Sequence, residues 1–325
     1  MTEASPQARP QPRLRSPVSE GPGNGHRSYY GQPIIKEPTW EWEIPFYFFT
    51  GGLAGASAPL ALLADLGANG RLARAARLTA LAGATASPVL LVMDLGRPER
   101  FYNMLRVVKP TSPMSVGTWI LSVFGSATGA AVATEVLGVF PRLGRAMRVL
   151  SALLGPALST YTAVLITDTS VPVWHEARRE LPLVFAASSA ASAGAAAAML
   201  TPTKDATPAR RLAVGGALAE LGGTVLMKRR LGSLLAEPYE EGEARRFDEL
   251  SKACTSVGAL SMAFAGRRSR AAAVAGGAMI LAGAALERWS VFRAGFQSAR
   301  DPKYTVVPQR ERLRELNGPN GPGRG

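Results

Sequence analysis

Long apolar runs decide what this chain can become. Five of them, residues 45–66, 75–93, 115–137, 149–166 and 181–200, are nearly free of charge. Each approaches the roughly 20 apolar residues that a helix needs to cross a bilayer. A sixth, 207–227, is comparable in length but carries Arg210, Arg211 and Glu220. Two more, 253–265 and 271–286, are short, so re-entrant or interfacial segments are their alternative. Backbone polar groups in lipid must be satisfied within the segment, and helices do that. The expected fold is therefore all-α: a polytopic membrane helix bundle of about eight transmembrane helices, or six or seven if the short runs do not cross.

The connectors are too short to hold a separate folded domain. Residues 39–300 read as one transmembrane domain. Residues 1–38 and 301–325 read as disordered polar tails, rich in Pro, Arg and Gly. The first 43 residues contain no apolar stretch of the kind a cleavable signal peptide requires, so none is expected. Within the runs, Gly51, Gly52 and Gly55, and later Gly276, Gly277 and Gly283, suit close helix packing, although a compositional bias toward Ala and Gly would look the same.

Eight crossings sort the loops onto two faces. Face A carries 94–114, 167–180 and 228–247, together with both ends of the chain. Face B carries 67–77, 138–148, 201–211 and 266–270. The chain has 37 Lys and Arg against 24 Asp and Glu, a formal charge of +13. On face B the cations stand almost without acids, which leans that face toward the cytoplasm. Cations flanking spans also meet anionic lipid headgroups. No soluble domain carries a basic stripe, so nucleic acid is not an expected partner.

Scarce ligands exclude several chemistries. Cys254 is the one cysteine, and His26 and His175 are the two histidines. An iron–sulfur cluster takes about four cysteines, and a structural zinc about four Cys or His ligands. The chain supplies neither, and no histidine lies in an apolar run to ligate a haem within the membrane. If electrons pass through this protein, a diffusible carrier or a partner must hold them.

Face A has the distinctive segments. WEWEIPFYFFTGGLAG (40–55) enters the first run. DLGRPERFYNMLRVVKPTSPMSVGTW (94–119) links the second to the third. VPVWHEARRELP (171–182) links the fourth to the fifth. Each joins acids, arginines and aromatics where a span meets water. In this order they resemble the NrfD/polysulfide-reductase family of membrane subunits, over about residues 38–300.

The resemblance implies a quinone/quinol-binding membrane anchor in the cell membrane. It exchanges electrons with a ferredoxin-like [4Fe–4S] subunit, itself joined to a molybdopterin catalytic subunit. The diffusible cofactor is menaquinone or ubiquinone, with no haem and no cluster of the chain's own. The family's pocket lies at the face-A ends of the first four helices. Tyr47 stands where a close relative carries a histidine that hydrogen-bonds the quinone headgroup; a phenol still donates but is a poorer base. Tyr161 matches a pocket tyrosine. Trp42 and Arg97 are further pocket candidates. Glu43, Asp94 and His175 are proton-relay candidates, and Asp94 is spaced to pair with Arg97 if the helix continues. Arg100, Arg106 and Lys109 are candidates for docking the iron–sulfur partner.

Plainer readings stand beside these. Trp40, Trp42, Tyr47 and Trp119 also fit an interfacial aromatic belt. Tyr161 also fits as packing with a satisfied hydroxyl, and Asp94 with Arg97 as a loop-fixing pair. Among acids in or near the runs, Asp65, Glu135 and Glu287 fall near run ends and are expected to reach water. Glu220 falls mid-run, as a proton-path residue or the partner of a cation on another helix. No continuous titratable chain crosses the membrane in the sequence, so proton pumping is not expected. Two rival functions remain. A transporter would use Pro59, Pro88 and Pro156 as helix interruptions. A purely structural membrane anchor would use face A for docking alone.

Overall fold

The computed structural model describes residues 34–317, with side chains through residue 312. Residues 34–41 are irregular. The described residues then form eleven α-helices: α1 (Glu43–Leu66), α2 (Gly70–Asp94), α3 (Arg100–Arg106), α4 (Pro113–Leu137), α5 (Pro141–Thr167), α6 (Pro172–Glu176), α7 (Leu181–Leu200), α8 (Thr207–Glu240), α9 (Gly242–Phe264), α10 (Arg270–Arg300) and α11 (Lys303–Asn317). The expected all-helical bundle is what forms. All but α3, α6 and α11 have at least 20 residues. Six of these, α1, α2, α4, α5, α7 and α10, are long and apolar enough to cross a membrane.

Local sequence sets the boundaries. Proline occupies the first or second position of α4, α5, α6, α7 and α8, where its missing N–H costs nothing and its fixed φ suits a helix. Asn69 caps α2 by accepting from the Leu72 N–H at 3.2 Å, and Ser269 caps α10 by accepting from the Ala272 N–H at 3.3 Å.

Helices α1, α2, α4 and α5 form one group, and α7 joins it to α8, α9 and α10. Their contacts are backbone-close. A Cβ built on Gly155 of α5 would lie 2.2 Å from the Gly55 carbonyl oxygen of α1. One built on Gly258 of α9 would lie 2.7 Å from the Gly276 oxygen of α10. With no apolar force driving helices together in lipid, such van der Waals contact is what holds them. On face B, Arg77 of α2 donates to Asp65 of α1 at 2.8 Å and to Glu135 of α4 at 3.0 Å, clamping three helix ends.

Three expectations need correction. The last three apolar runs understate their helices: α8 continues thirteen residues past 227 and α9 starts eleven residues before 253, so most of the expected loop 228–247 is helical, and α10 continues fourteen residues past 286. Hydropathy stops at the first charges, whereas the helices continue through them, with Glu287–Arg288 and Asp248–Lys228 as buried pairs and Arg245–Glu249 as an exposed one. Glu287 is accordingly not near a helix end but well inside α10, buried against Arg288. Lastly, residues 303–317 of the expected C-terminal tail are helical as α11. Tyr304 is buried there, Lys303 donates to Glu237 at 2.8 Å, and Arg312 pairs with Glu176 of α6. The Glu237 hydrogen bond raises the Lys303 pKa. Residues 1–33 and 318–325, the rest of the two expected tails, lie outside the described residues.

Candidate functional site

The face-A end of α1 and α2 holds a column of polar groups. Glu43, Tyr47, Thr50 and Gly51 follow one another at helical spacing along one side of α1. Ser87 and Asp94, two turns apart, run down the facing side of α2. Two contacts fix the register. The Glu41 N–H donates to Asp94 Oδ1 at 3.4 Å at the rim. The Thr50 and Ser87 hydroxyls meet at 3.0 Å deeper in. Tyr47 lies between these levels and is only 2% exposed.

Glu43 is buried at the head of the column, and its Oε2 has no hydrogen-bond partner. An unpartnered buried carboxyl oxygen is expensive, and it stands one turn above Tyr47. From α5, Tyr161 brings a second buried phenol. Its tip fills the notch at Gly117 of α4, where a Cβ would lie 1.7 Å from Tyr161 Cζ. Two residues before Tyr161, Ser159 of α5 donates to the Gly52 carbonyl of α1 at 3.4 Å, which sets the register between the two helices. The arrangement offers hydroxyl donors below and carboxyl proton acceptors toward water above.

The remaining candidates lie elsewhere. Trp42 is 46% exposed beside α1, edge-on to Phe46. Arg97 does not pair with Asp94, because α2 ends at Asp94 and Gly96, at φ +66°, turns the chain away. Arg97 is exposed, as are Arg100, Arg106 and Lys109 on and around α3, a helix with no buried residue. Tyr102 and Val108 are exposed beside them. His175 is exposed on α6, with Nδ1 3.2 Å from the Thr167 carbonyl oxygen.

The segment around His175 is anchored by its neighbour. Trp174 is fully buried, donates to the Val291 carbonyl at 2.8 Å, and packs where Gly295 leaves room. Trp40 stacks on it with ring centres 6.0 Å apart. The third face-A motif therefore joins the chain ahead of α1 to α10.

The chain matches the family described as polysulphide reductase, NrfD, over residues 35–236, well over half its length. The chain belongs to the NrfD family. No curated protein matches it in sequence. NrfD membership implies a membrane subunit of a quinone-linked oxidoreductase. The matched region takes in all three face-A motifs and the whole of the α1–α2 column.

Sequence reading missed several residues of this NrfD bundle. Thr50, Ser87 and Gly117 look like ordinary small residues in apolar runs. The signal for Gly117 was its place opposite a tyrosine-bearing helix, which only the pairing of α4 with α5 reveals. Arg288 was missed because it follows the last apolar run. It is 1% exposed, pairs with Glu287, and donates to the Phe185 carbonyl at 3.0 Å.

An apolar cavity of about 680 Å³ opens between α1, α5, α7 and α8 in the face-B half, away from the column. Pro59, Pro156 and Ser159 are in its wall, and Arg211 flanks it.

Proposed function

We propose that the chain is the quinone-reactive membrane subunit of a multi-subunit oxidoreductase in the cell membrane. The observation that carries this reading is the polar column descending from the face-A rim between α1 and α2, with Tyr161 alongside. Tyr47 and Tyr161 hydrogen-bond the quinone oxygens, with the Thr50–Ser87 hydroxyl pair beneath. Quinol oxidation releases two electrons and two protons. Glu43, one turn above Tyr47, takes the two protons in turn, and Asp94 passes each to water at the rim.

The electrons go to, or come from, a [4Fe–4S] cluster in a ferredoxin-like partner on face A. The exposed Arg100, Arg106 and Lys109, with Tyr102 and Val108 between them, suit an acidic, partly apolar protein surface. A molybdopterin subunit on that partner acts on the soluble substrate. The column at one interface favours this reading over a transporter, whose polar site belongs near the bilayer midplane.

The test is the purified complex with a menaquinone or ubiquinone analogue. Tyr161→Phe should lower quinol-linked turnover by about 10²-fold while the complex stays assembled. A variant with full turnover and undiminished quinone binding refutes the pocket. An assembled complex that binds no quinone in any form supports a purely structural anchor.

A further inference from the structure

Glu220 lies in α8, away from the column, and is only 2% exposed. Two contacts fix its direction. A Cβ on Gly216 would lie 2.4 Å from the Ala191 nitrogen, and one on Gly223 would lie 3.1 Å from Val184 Cγ2. Positions 216, 220 and 223 share one helix side, so Glu220 faces the stretch of α7 between Val184 and Ala191. Arg288 of α10 reaches the same stretch, at the Phe185 carbonyl and the Ser189 hydroxyl. Ser188 and Ser192 hydroxyls there are buried and unpartnered, as is Glu220 Oε2.

The charges around it are already matched. Arg288 pairs with Glu287 of the same helix. Asp248 of α9 is held by Lys228 at 2.8 Å and Lys252 at 2.7 Å. Among the described residues Glu220 has no ion pair. A buried carboxylate without a cation is too costly to keep; the group takes up a proton instead.

A route to face A runs along the α8–α9–α10 seam. Ser290 donates to the Ala244 carbonyl at 3.1 Å, and Ser251 donates to the Gly283 carbonyl at 2.8 Å. These bonds set Asp248 level with Glu287. Tyr239, buried with an unpartnered hydroxyl, has Lys228 Nζ 5.3 Å from its ring centre. Tyr239, next to the end of α8, is the member of this seam nearest face A.

We propose that Glu220 is a proton-binding carboxyl inside the membrane, loaded from face A along this seam past Asp248, Tyr239 and the Glu287–Arg288 pair. The proposal is independent of the quinone pocket and stands or falls without it.

Infrared spectroscopy of the full-length protein in detergent at neutral pH tests it. A protonated-acid C=O band should be present, be lost in Glu220→Gln and survive when Glu287→Gln is combined with Arg288→Met, which removes the second acid together with its cation. No acid band, or no band lost in the difference between the unsubstituted protein and Glu220→Gln, overturns the proposal. Should Glu220→Gln not fold, Glu220→Asp should shift the band, and an unshifted band also overturns it. In D2O the band should move to lower frequency, roughly tenfold more slowly in Asp248→Asn or Tyr239→Phe, which each lose one hydrogen-bonding step. Exchange in both variants as fast as in the unsubstituted protein refutes the route.

Discussion

At the scale of single residues, burial separates groups that adjacent positions would equate. Glu287 and Arg288 are neighbours in sequence and buried together in α10. Removing one partner strands the other charge. Arg288→Met should therefore lower stability by about 3–5 kcal/mol, and adding Glu287→Gln should recover much of the loss. Thermal unfolding in detergent measures both. Gly117 is a second such point. Gly117→Ala pushes a methyl into the Tyr161 ring, and overpacking of this kind costs about 1–3 kcal/mol. Quinol-linked turnover should fall further than stability alone explains, because the phenol itself is displaced.

Single residues also show what the sequence made legible. Tyr47, Glu43 and Asp94 are readable because aromatics and acids at a span entrance stand out against apolar neighbours. Thr50 and Ser87 are not, since a hydroxyl in a helix normally bonds its own backbone; Ser87 also donates to the Gly83 carbonyl. The Asp94–Arg97 pairing failed on one backbone fact, the left-handed Gly96 that ends the helical spacing.

At the scale of elements, the first five long helices were legible because an apolar run fills most of each. α9 and α10 were not, because helical structure continues through charges that tertiary pairing neutralises. Close approach is the vulnerable feature. Gly155→Leu must drive α1 and α5 apart and should cost about 1–3 kcal/mol or more, read as lost thermal stability and lost Tyr161-dependent turnover. α6 depends on one side chain. Trp174→Ala empties a buried site between α6 and α10 and should cost about 3–5 kcal/mol. Protease nicking at residues 168–180, outpacing cleavage elsewhere, would report its release.

At the scale of the whole molecule, the alternation of long helices sets which loops share a membrane side. In a Cys254→Ser background, Tyr102→Cys and Glu176→Cys should react with an impermeant thiol reagent from one side, and Arg142→Cys and Lys204→Cys from the other. If face B is cytoplasmic, the last two are the ones protected in intact cells. All four labelled from one side would refute the threading.

The length of α10 has a consequence for the surrounding lipid. At about 1.5 Å per residue its 31 residues extend roughly 46 Å, against a hydrocarbon layer of about 30 Å. Its uncharged stretch, residues 271–286, covers only about 24 Å of that at about 1.5 Å per residue, and the uncharged stretch of α9, residues 253–264, only about 18 Å. Fatty chains beside these two helices must compress or the flanking charges must snorkel outward, so the protein should favour thin bilayers and lose activity as acyl length grows.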